Sequence, residues 1–216
     1  MNTDRLIDLL SANLEPVGRV RFGKTLLVAM LTGGAAAFSL MLVIVGPRPD
    51  LDSTAHLEWT VVKLLFAVSV IGTATPPLLR LMRPGSEKET HPEIVFLPFF
   101  AAIGIALAML LFVPFQVWSE MLRGATSAFP ARCFLCITFF AVVPFAALIW
   151  ALRQGAPTRL TLSGAIAGVI AGGLGAAAYA FTCRSDTIPF IACCYGAAIA
   201  LCALIGAQLG PRLLRW

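Results

Sequence analysis

The sequence predicts an all-α membrane protein whose six transmembrane helices form a bundle. Of its residues 59% are hydrophobic and only 12% are charged, and the mean hydropathy is +0.88, whereas soluble domains carry about 25% charged residues. The apolar runs are long and do not alternate with polar residues, which favours helices over the strands of a barrel. With 216 residues, little of the chain is left for a separate extramembrane domain.

Apolar runs between charged clusters locate the six spans. They lie near residues 25–46, 59–79, 94–117, 133–152, 160–182 and 189–210. Pro98 and Pro114 fall in the third run and Pro144 in the fourth, so kinked helices are expected there because proline removes a backbone hydrogen bond. Residues 25–216 therefore form the membrane domain, and residues 1–24 form a separate N-terminal segment.

The Lys and Arg residues predict the orientation of the bundle. Eleven of the sixteen fall on the side of the two chain termini, and four fall on the opposite side. By the positive-inside rule both termini are cytoplasmic, and the loops after the first, third and fifth spans face outward. No cleavable signal peptide is expected, because the N-terminal segment lacks a continuous apolar core.

Small residues recur at every fourth position of the fifth span. Gly164, Gly168, Gly172 and Ala176 would form a ridge on one face of the helix. Such a ridge lets another helix approach closely. We interpret it as a packing surface, and a glycine-lined substrate path is the alternative.

Ionisable residues are scarce within the spans, although transporters, pumps and channels usually depend on them. Lys63 is the exception, and because it lies near the predicted outer end of its helix, its stem can snorkel to the membrane interface. The sequence contains no phosphate-binding loop, catalytic carboxylate pair or nucleophile triad. The basic residues lie between apolar runs and form no patch. An enzyme, a resident cofactor and direct binding of nucleic acid are therefore not expected.

Two of the six cysteines lie at predicted outer ends of spans. Cys133 opens the fourth span and Cys183 follows the fifth, so antiparallel packing would bring both to one face of the membrane. Arg132 and Arg184 are their neighbours in sequence, and a nearby guanidinium favours the thiolate, which is the reactive and metal-binding form. We interpret Cys133 and Cys183 as candidate sensor thiols and as transient ligands for a heavy-metal ion.

Cysteine can also be a small apolar residue of a membrane core. This interpretation stays open for Cys133 and Cys183, and it is favoured for the other four cysteines. These four are Cys136, Cys193, Cys194 and Cys202.

The N-terminal segment is predicted to form an amphipathic helix that ends at Pro16. One face is apolar and the opposite one carries acidic and serine residues. The apolar face comprises Leu6, Ile7, Leu10, Leu14 and Val17. So short a helix is marginal alone in water, and membrane-surface helices usually have a basic polar face. Docking into a groove of a cytoplasmic protein is therefore favoured over packing at the membrane edge.

Over nearly its whole length the chain resembles the NrsF-type anti-sigma factors. The resemblance depends on the order and spacing of several elements. They are RPDL at 48–51, Cys133, RQGAP at 153–157, Cys183 and the ending GAQLGPRLLRW at 206–216.

This resemblance implies a bacterial inner-membrane protein that sequesters an extracytoplasmic-function sigma factor through its cytoplasmic N-terminus. It also implies that Cys133 and Cys183 face outward and signal heavy-metal or oxidant stress. The candidate sigma-factor contacts are Leu6, Ile7, Asp8, Leu10 and Leu14. The Cys193-Cys194-Tyr195 sequence departs from the family pattern, in which a tryptophan is expected before the tyrosine. A role for these extra thiols stays open.

Two other functions remain as alternatives. A membrane thiol oxidoreductase would pass electrons from Cys133, Cys136 and Cys183 to a quinone, but Cys183 has no second cysteine in its own loop. A small transporter or channel is disfavoured because polar groups within the spans are so scarce.

Overall fold

The computed structural model describes residues 22–46, 54–82, 91–112, 129–155, 157–183 and 185–215. Within them, six helical segments are long and apolar enough to cross a membrane. In chain order these spans are Phe22–Ile44, Leu57–Leu81, Pro92–Met109, Ala131–Arg153, Leu160–Tyr179 and Ile188–Leu213. The described residues contain no strand, so the predicted all-α membrane fold is confirmed.

The helices do not coincide with the spans at every end. The α-helices run over Phe22–Ile44, Thr54–Leu81, Leu97–Phe112, Phe129–Phe140, Val142–Arg153, Leu160–Tyr179 and Gly196–Leu213. A 3-10 turn at Pro92–Phe96 precedes the third of these helices. The sixth span begins with one short turn, Ile188–Phe190, and continues through a π-helical turn, Ile191–Tyr195, before its long helix.

Proline acts differently in the fourth and third spans. The fourth span divides at Ala141, three residues before Pro144, because a proline cannot donate to the carbonyl four residues earlier. Pro98 lies in the first turn of Leu97–Phe112. Residues of the first turn donate no hydrogen bond within their own helix, so the missing N–H of proline costs nothing there. The structure therefore shows a helix that starts at Leu97, just before Pro98, in place of the expected kink. Pro114 lies outside the described residues.

The fifth span lies at the centre of the bundle. Of its most apolar stretch 67% is buried, against 11 to 44% for the other spans. It packs against the second, fourth and sixth spans. The other spans expose many large apolar side chains, which suits contact with lipid and would be unusual on a soluble protein. Examples are Leu31, Val43, Phe100, Leu111 and Trp150.

The small-residue ridge of the fifth span packs against the sixth span. A Cβ atom added at Gly168 would collide with the backbone carbonyl of Cys202, and one added at Gly164 would collide with that of Gly206. The sixth span thus fills the space in front of the ridge. The predicted packing role is confirmed, and the alternative of a glycine-lined path is wrong for this face.

Gly168→Ala is expected to destabilise the protein by about 1–3 kcal/mol, because the added methyl group must separate two helix backbones. Gly72→Ala is the matched control, since nothing lies within 4 Å of a Cβ atom added there. The free energy of unfolding of each variant can be measured by titrating dodecyl sulfate into protein in a mild detergent. Equal stability of the two variants would contradict the packing interpretation.

Contacts between loops and helix ends distinguish the two ends of the bundle. At the first, the Thr182 hydroxyl donates to the Gly46 carbonyl at 2.9 Å, which joins the end of the first span to the loop after the fifth. We call this the Thr182 end. At the opposite end, Arg153 Nε donates to the Leu213 carbonyl at 2.8 Å and joins the fourth span to the sixth. We call this the Arg153 end, and the first span begins here at Phe22.

Candidate thiol site

Cys133 and Cys183 lie side by side at the Thr182 end, and we call them the thiol pair. Their sulfur atoms are 3.8 Å apart. Cys133 lies in the second turn of the helix Phe129–Phe140. The backbone N–H of Cys183 donates to the carbonyl of Tyr179 at 3.1 Å, which holds the residue against the end of the fifth span. The predicted juxtaposition of the two cysteines is confirmed, and their sensor role stays a prediction.

Two tyrosine hydroxyl groups border the thiol pair. The oxygen of Tyr179 lies 3.4 Å from the sulfur of Cys133. Tyr195 is fully buried and its hydroxyl interacts with Cys183, although it completes no hydrogen bond of good geometry. Because Cys133 carries a single proton, it donates either to Tyr179 or to Cys183. The thiol pair therefore has two alternative hydrogen-bond arrangements.

An ion pair between a buried lysine and a partly buried aspartate lies beside the thiol pair. The ammonium of Lys63 is 2.8 Å from the carboxylate of Asp186 and also donates to the carbonyl of Cys183 at 2.9 Å. The Lys63 side chain is 0% exposed, so the expectation that it snorkels to the interface was wrong. Its helix begins at Thr54, so Lys63 lies roughly two and a half turns from the helix start. The carboxylate of Asp186 compensates the charge of its ammonium.

The surroundings of Cys183 favour its thiolate. This residue lies in the loop between the fifth and sixth spans. The hydrogen bond from Cys133 acts most strongly, and the ammonium of Lys63 acts in the same direction. The backbone N–H of Ser185 and the hydroxyl of Tyr195 add to them. These groups outweigh the effect of burial and lower the pKa of Cys183 to about 6.

The arginines beside the cysteines do not account for this electrostatic environment. Arg132 is exposed, and Arg184 lies outside the described residues. The cation that contacts the thiol pair is Lys63, which sequence reasoning did not assign to the site. A signal for it existed, because a lone ionisable residue within a span is by default a candidate functional residue with a partner nearby.

Alkylation of Cys183 is expected to reach half of its maximal rate near pH 6, because the thiolate that reacts forms as the pH rises through the pKa. Cys133→Ala removes the strongest hydrogen-bond donor and should move this midpoint upward, toward the ordinary value of about 8.5. Mass spectrometry of iodoacetamide-treated protein, with the other four cysteines replaced by alanine, measures the rate. An unchanged midpoint in the Cys133→Ala variant would show that Cys133 is not the donor.

The other cysteines differ in their surroundings. Cys202 lies where the fifth and sixth spans pack, and a Cβ atom added at Gly172 would be 3.4 Å from its sulfur, which supports the predicted role as an apolar core residue. Cys194 is partly buried and lies near enough to the thiol pair to interact with it electrostatically. Cys193 is exposed and Cys136 is partly buried.

The thiol pair is more enclosed than its predicted edge position implied. Cys133 is 3% exposed and Cys183 is 2% exposed. Small molecules and ions are therefore better suited to reach these sulfurs than bulky thiol reagents. Among the described residues no group of three His, Cys, Asp or Glu side chains could hold a metal ion, so an ion bound here would take the two sulfurs as its main protein ligands.

The predicted sigma-factor contacts lie outside the described residues. These are Leu6, Ile7, Asp8, Leu10 and Leu14. The residue with which the described chain begins, Phe22, lies at the Arg153 end. The N-terminal segment is therefore attached to the bundle at the end opposite to the thiol pair.

Comparison with known proteins gives a consistent family assignment. A family model described as NrsF, negative regulator of sigma F, matches residues 10–216. The chain is 31% identical over 216 residues to the probable anti-sigma-F factor NrsF of Azospira oryzae and 32% identical over 222 residues to the anti-sigma-F factor NrsF of Caulobacter vibrioides. Both alignments cover the full length of each chain. No solved structure matches.

Proposed function

This chain belongs to the NrsF family of negative regulators of sigma F, and on that premise we propose that it is a membrane anti-sigma factor. It holds an extracytoplasmic-function sigma factor at the bacterial inner membrane, away from RNA polymerase. It releases this partner when the thiol pair detects heavy-metal or oxidative stress. Its role is regulatory and involves no catalytic turnover.

One structural observation supports a sensor more than any other. The two sulfurs are 3.8 Å apart at the Thr182 end, and the described chain begins with Phe22 at the Arg153 end. By the positive-inside rule we expect the N-terminal segment in the cytoplasm and the thiol pair toward the periplasm. A chemical change on one side of the membrane can then alter binding on the other.

Oxidation of the thiol pair needs only a small movement. A disulfide requires the sulfurs to approach to about 2.05 Å. With hydrogen peroxide, one thiolate becomes a sulfenic acid, and the second thiol displaces its hydroxyl as water to form the disulfide. Both cysteines are oxidised, and the peroxide is reduced to two molecules of water.

A thiophilic metal ion is the other signal that fits the thiol pair. A tetrahedral ion with metal–sulfur bonds of about 2.3 Å holds two sulfur ligands about 3.8 Å apart. The sulfurs of Cys133 and Cys183 already have this separation, 3.8 Å. Such an ion would complete its coordination with water or another small ligand. Disulfide formation and metal binding therefore act on the same two atoms.

The partner-binding role can be tested at the N-terminal segment. Leu10→Asp places a charge on the predicted apolar face and should reduce the amount of sigma factor that co-purifies by about tenfold or more. Ser11→Asp is the matched control, because it places the same charge on the predicted polar face at the next residue. The measurement is the ratio of sigma factor to membrane protein after purification in mild detergent. Equal recovery with both variants would contradict docking through the apolar face.

A further inference from the structure

Lys63 has a position that stability alone does not explain. An ionisable side chain within a span is energetically unfavourable, and a buried ion pair usually contributes no more to stability than an apolar pair of similar size. Lys63 is 0% exposed and pairs with Asp186. Its second contact is the main chain of Cys183, because the same ammonium donates to the carbonyl of that residue at 2.9 Å.

We propose that Lys63 is the positioning residue through which the chemical state of the thiol pair reaches the second span. This inference rests on the proposed anti-sigma function and adds the route by which the signal leaves the thiol pair. Lys63 belongs to the second span, Cys133 to the fourth, and Cys183 to the loop after the fifth. The Lys63 side chain thus links the second span, which carries no cysteine, to Cys183, which must move when the disulfide forms.

The movement is set by the geometry of the sulfurs. Closing a 3.8 Å separation to a bond of about 2.05 Å displaces one or both cysteines. Cys133 is held inside a helix, whereas Cys183 lies beyond the end of one, so the larger displacement is expected at Cys183. Its carbonyl oxygen is the atom that Lys63 holds, and the second span experiences the change through this hydrogen bond.

The second span extends to the Arg153 end, where the N-terminal segment is attached. Leu78, Leu81 and Met82 are fully buried there. A Cβ atom added at Gly155 would lie 3.2 Å from the carbonyl oxygen of Met82, so the end of the second span touches the segment that follows the fourth. A shift of the second span is therefore transmitted to its packed neighbours at this end.

A second link from the same loop provides a control. The hydroxyl of Thr182, the residue before Cys183, donates to the Gly46 carbonyl and contacts the sulfur of Met41. Thr182→Val removes these contacts to the first span but leaves Lys63 in place. If general loosening of the loop were sufficient to break the coupling, this variant would lose it as well.

The test compares the full chain in lipid nanodiscs with and without the ion pair, and the other four cysteines are replaced by alanine throughout. The key variant is Lys63→Met with Asp186→Asn, which removes both charges together and leaves no uncompensated charge in the bundle. Hydrogen peroxide forms the disulfide, and its yield is measured by mass spectrometry. The affinity for the purified sigma factor is measured before and after oxidation.

In the parent protein, oxidation should weaken binding by about tenfold or more, whereas in the double variant the disulfide should form and binding should change less than about twofold. Lys63→Arg, which keeps the charge and donors, and Thr182→Val should both retain most of the parent change. An equal loss of affinity in the double variant would overturn the role of Lys63, and so would uncoupling by Thr182→Val or failure of the double variant to form the disulfide. No loss of affinity in the oxidised parent would instead overturn the proposed function.

Discussion

Replacing both Cys133 and Cys183 by serine is expected to abolish induction of the sigma-dependent genes. Serine has nearly the same size as cysteine but forms neither a disulfide nor a strong bond to a thiophilic ion. Moving the partner from 99% held to 1% held requires a difference of about 5.5 kcal/mol between the two states, and without the thiols no reaction supplies it. Transcription under cadmium or dichromate should then stay within about twofold of its uninduced level, as a reporter fused to a sigma-dependent promoter would measure.

The control for this experiment is a second pair of cysteine-to-serine changes. Cys136→Ser with Cys193→Ser alters two thiols that are less buried than the thiol pair and should leave induction intact. Survival of induction in the Cys133→Ser, Cys183→Ser variant would show that the sensor lies elsewhere. Transcription that is high without stress would contradict the proposal in another way, because it would mean that the cysteines are needed to hold the partner.

Lys63→Met alone is expected to lower the free energy of unfolding by about 1–3 kcal/mol, because it removes the ammonium that pairs with the partly buried carboxylate of Asp186 and with the carbonyl of Cys183. The double change Lys63→Met, Asp186→Asn should recover most of this loss, since no uncompensated charge remains. Dodecyl sulfate titration in mild detergent measures both values.

An exposed lysine supplies the comparison for the Lys63 variant. Lys24 lies in the first turn of the first span and is exposed, so Lys24→Met should change the free energy of unfolding by less than about 0.5 kcal/mol. If Lys63→Met were no more destabilising than Lys24→Met, the ion pair would not be formed in the membrane. A double variant as unstable as Lys63→Met alone would show that shape, and not charge, determines the effect.

The fold was largely predictable because membrane insertion is governed by properties that are local in sequence. Each span needs a continuous apolar run, and six such runs are visible in the printed residues. The ridge of Gly164, Gly168 and Gly172 was also visible, because four-residue spacing alone places these residues on one helix face. The meeting of Cys133 and Cys183 followed from the antiparallel order of consecutive spans.

The site was less predictable because its other members come from distant parts of the chain. Asp186 lies 123 residues from Lys63, and no periodicity connects them. The second span was also predicted to begin near residue 59, whereas its helix begins at Thr54, so Lys63 lies farther from the helix start than expected. Sequence reasoning assigned no role to Tyr179 or Tyr195, because their hydroxyl groups meet the thiol pair only once the spans are packed.

The π-helical turn at Ile191–Tyr195 bears on how this site could change in evolution. Such a turn holds one residue more than an α-helical turn, and it contains the Cys193-Cys194 doublet just before Tyr195. Loss of one residue here would restore regular α-helical winding, and the segments on either side would keep nearly the same rotation relative to each other, because the π turn takes up its extra residue within a single turn. The loop that carries Cys183 would therefore keep its place relative to the rest of the sixth span. A single codon deletion at the doublet would thus change the number of thiols beside the thiol pair without touching either Cys133 or Cys183.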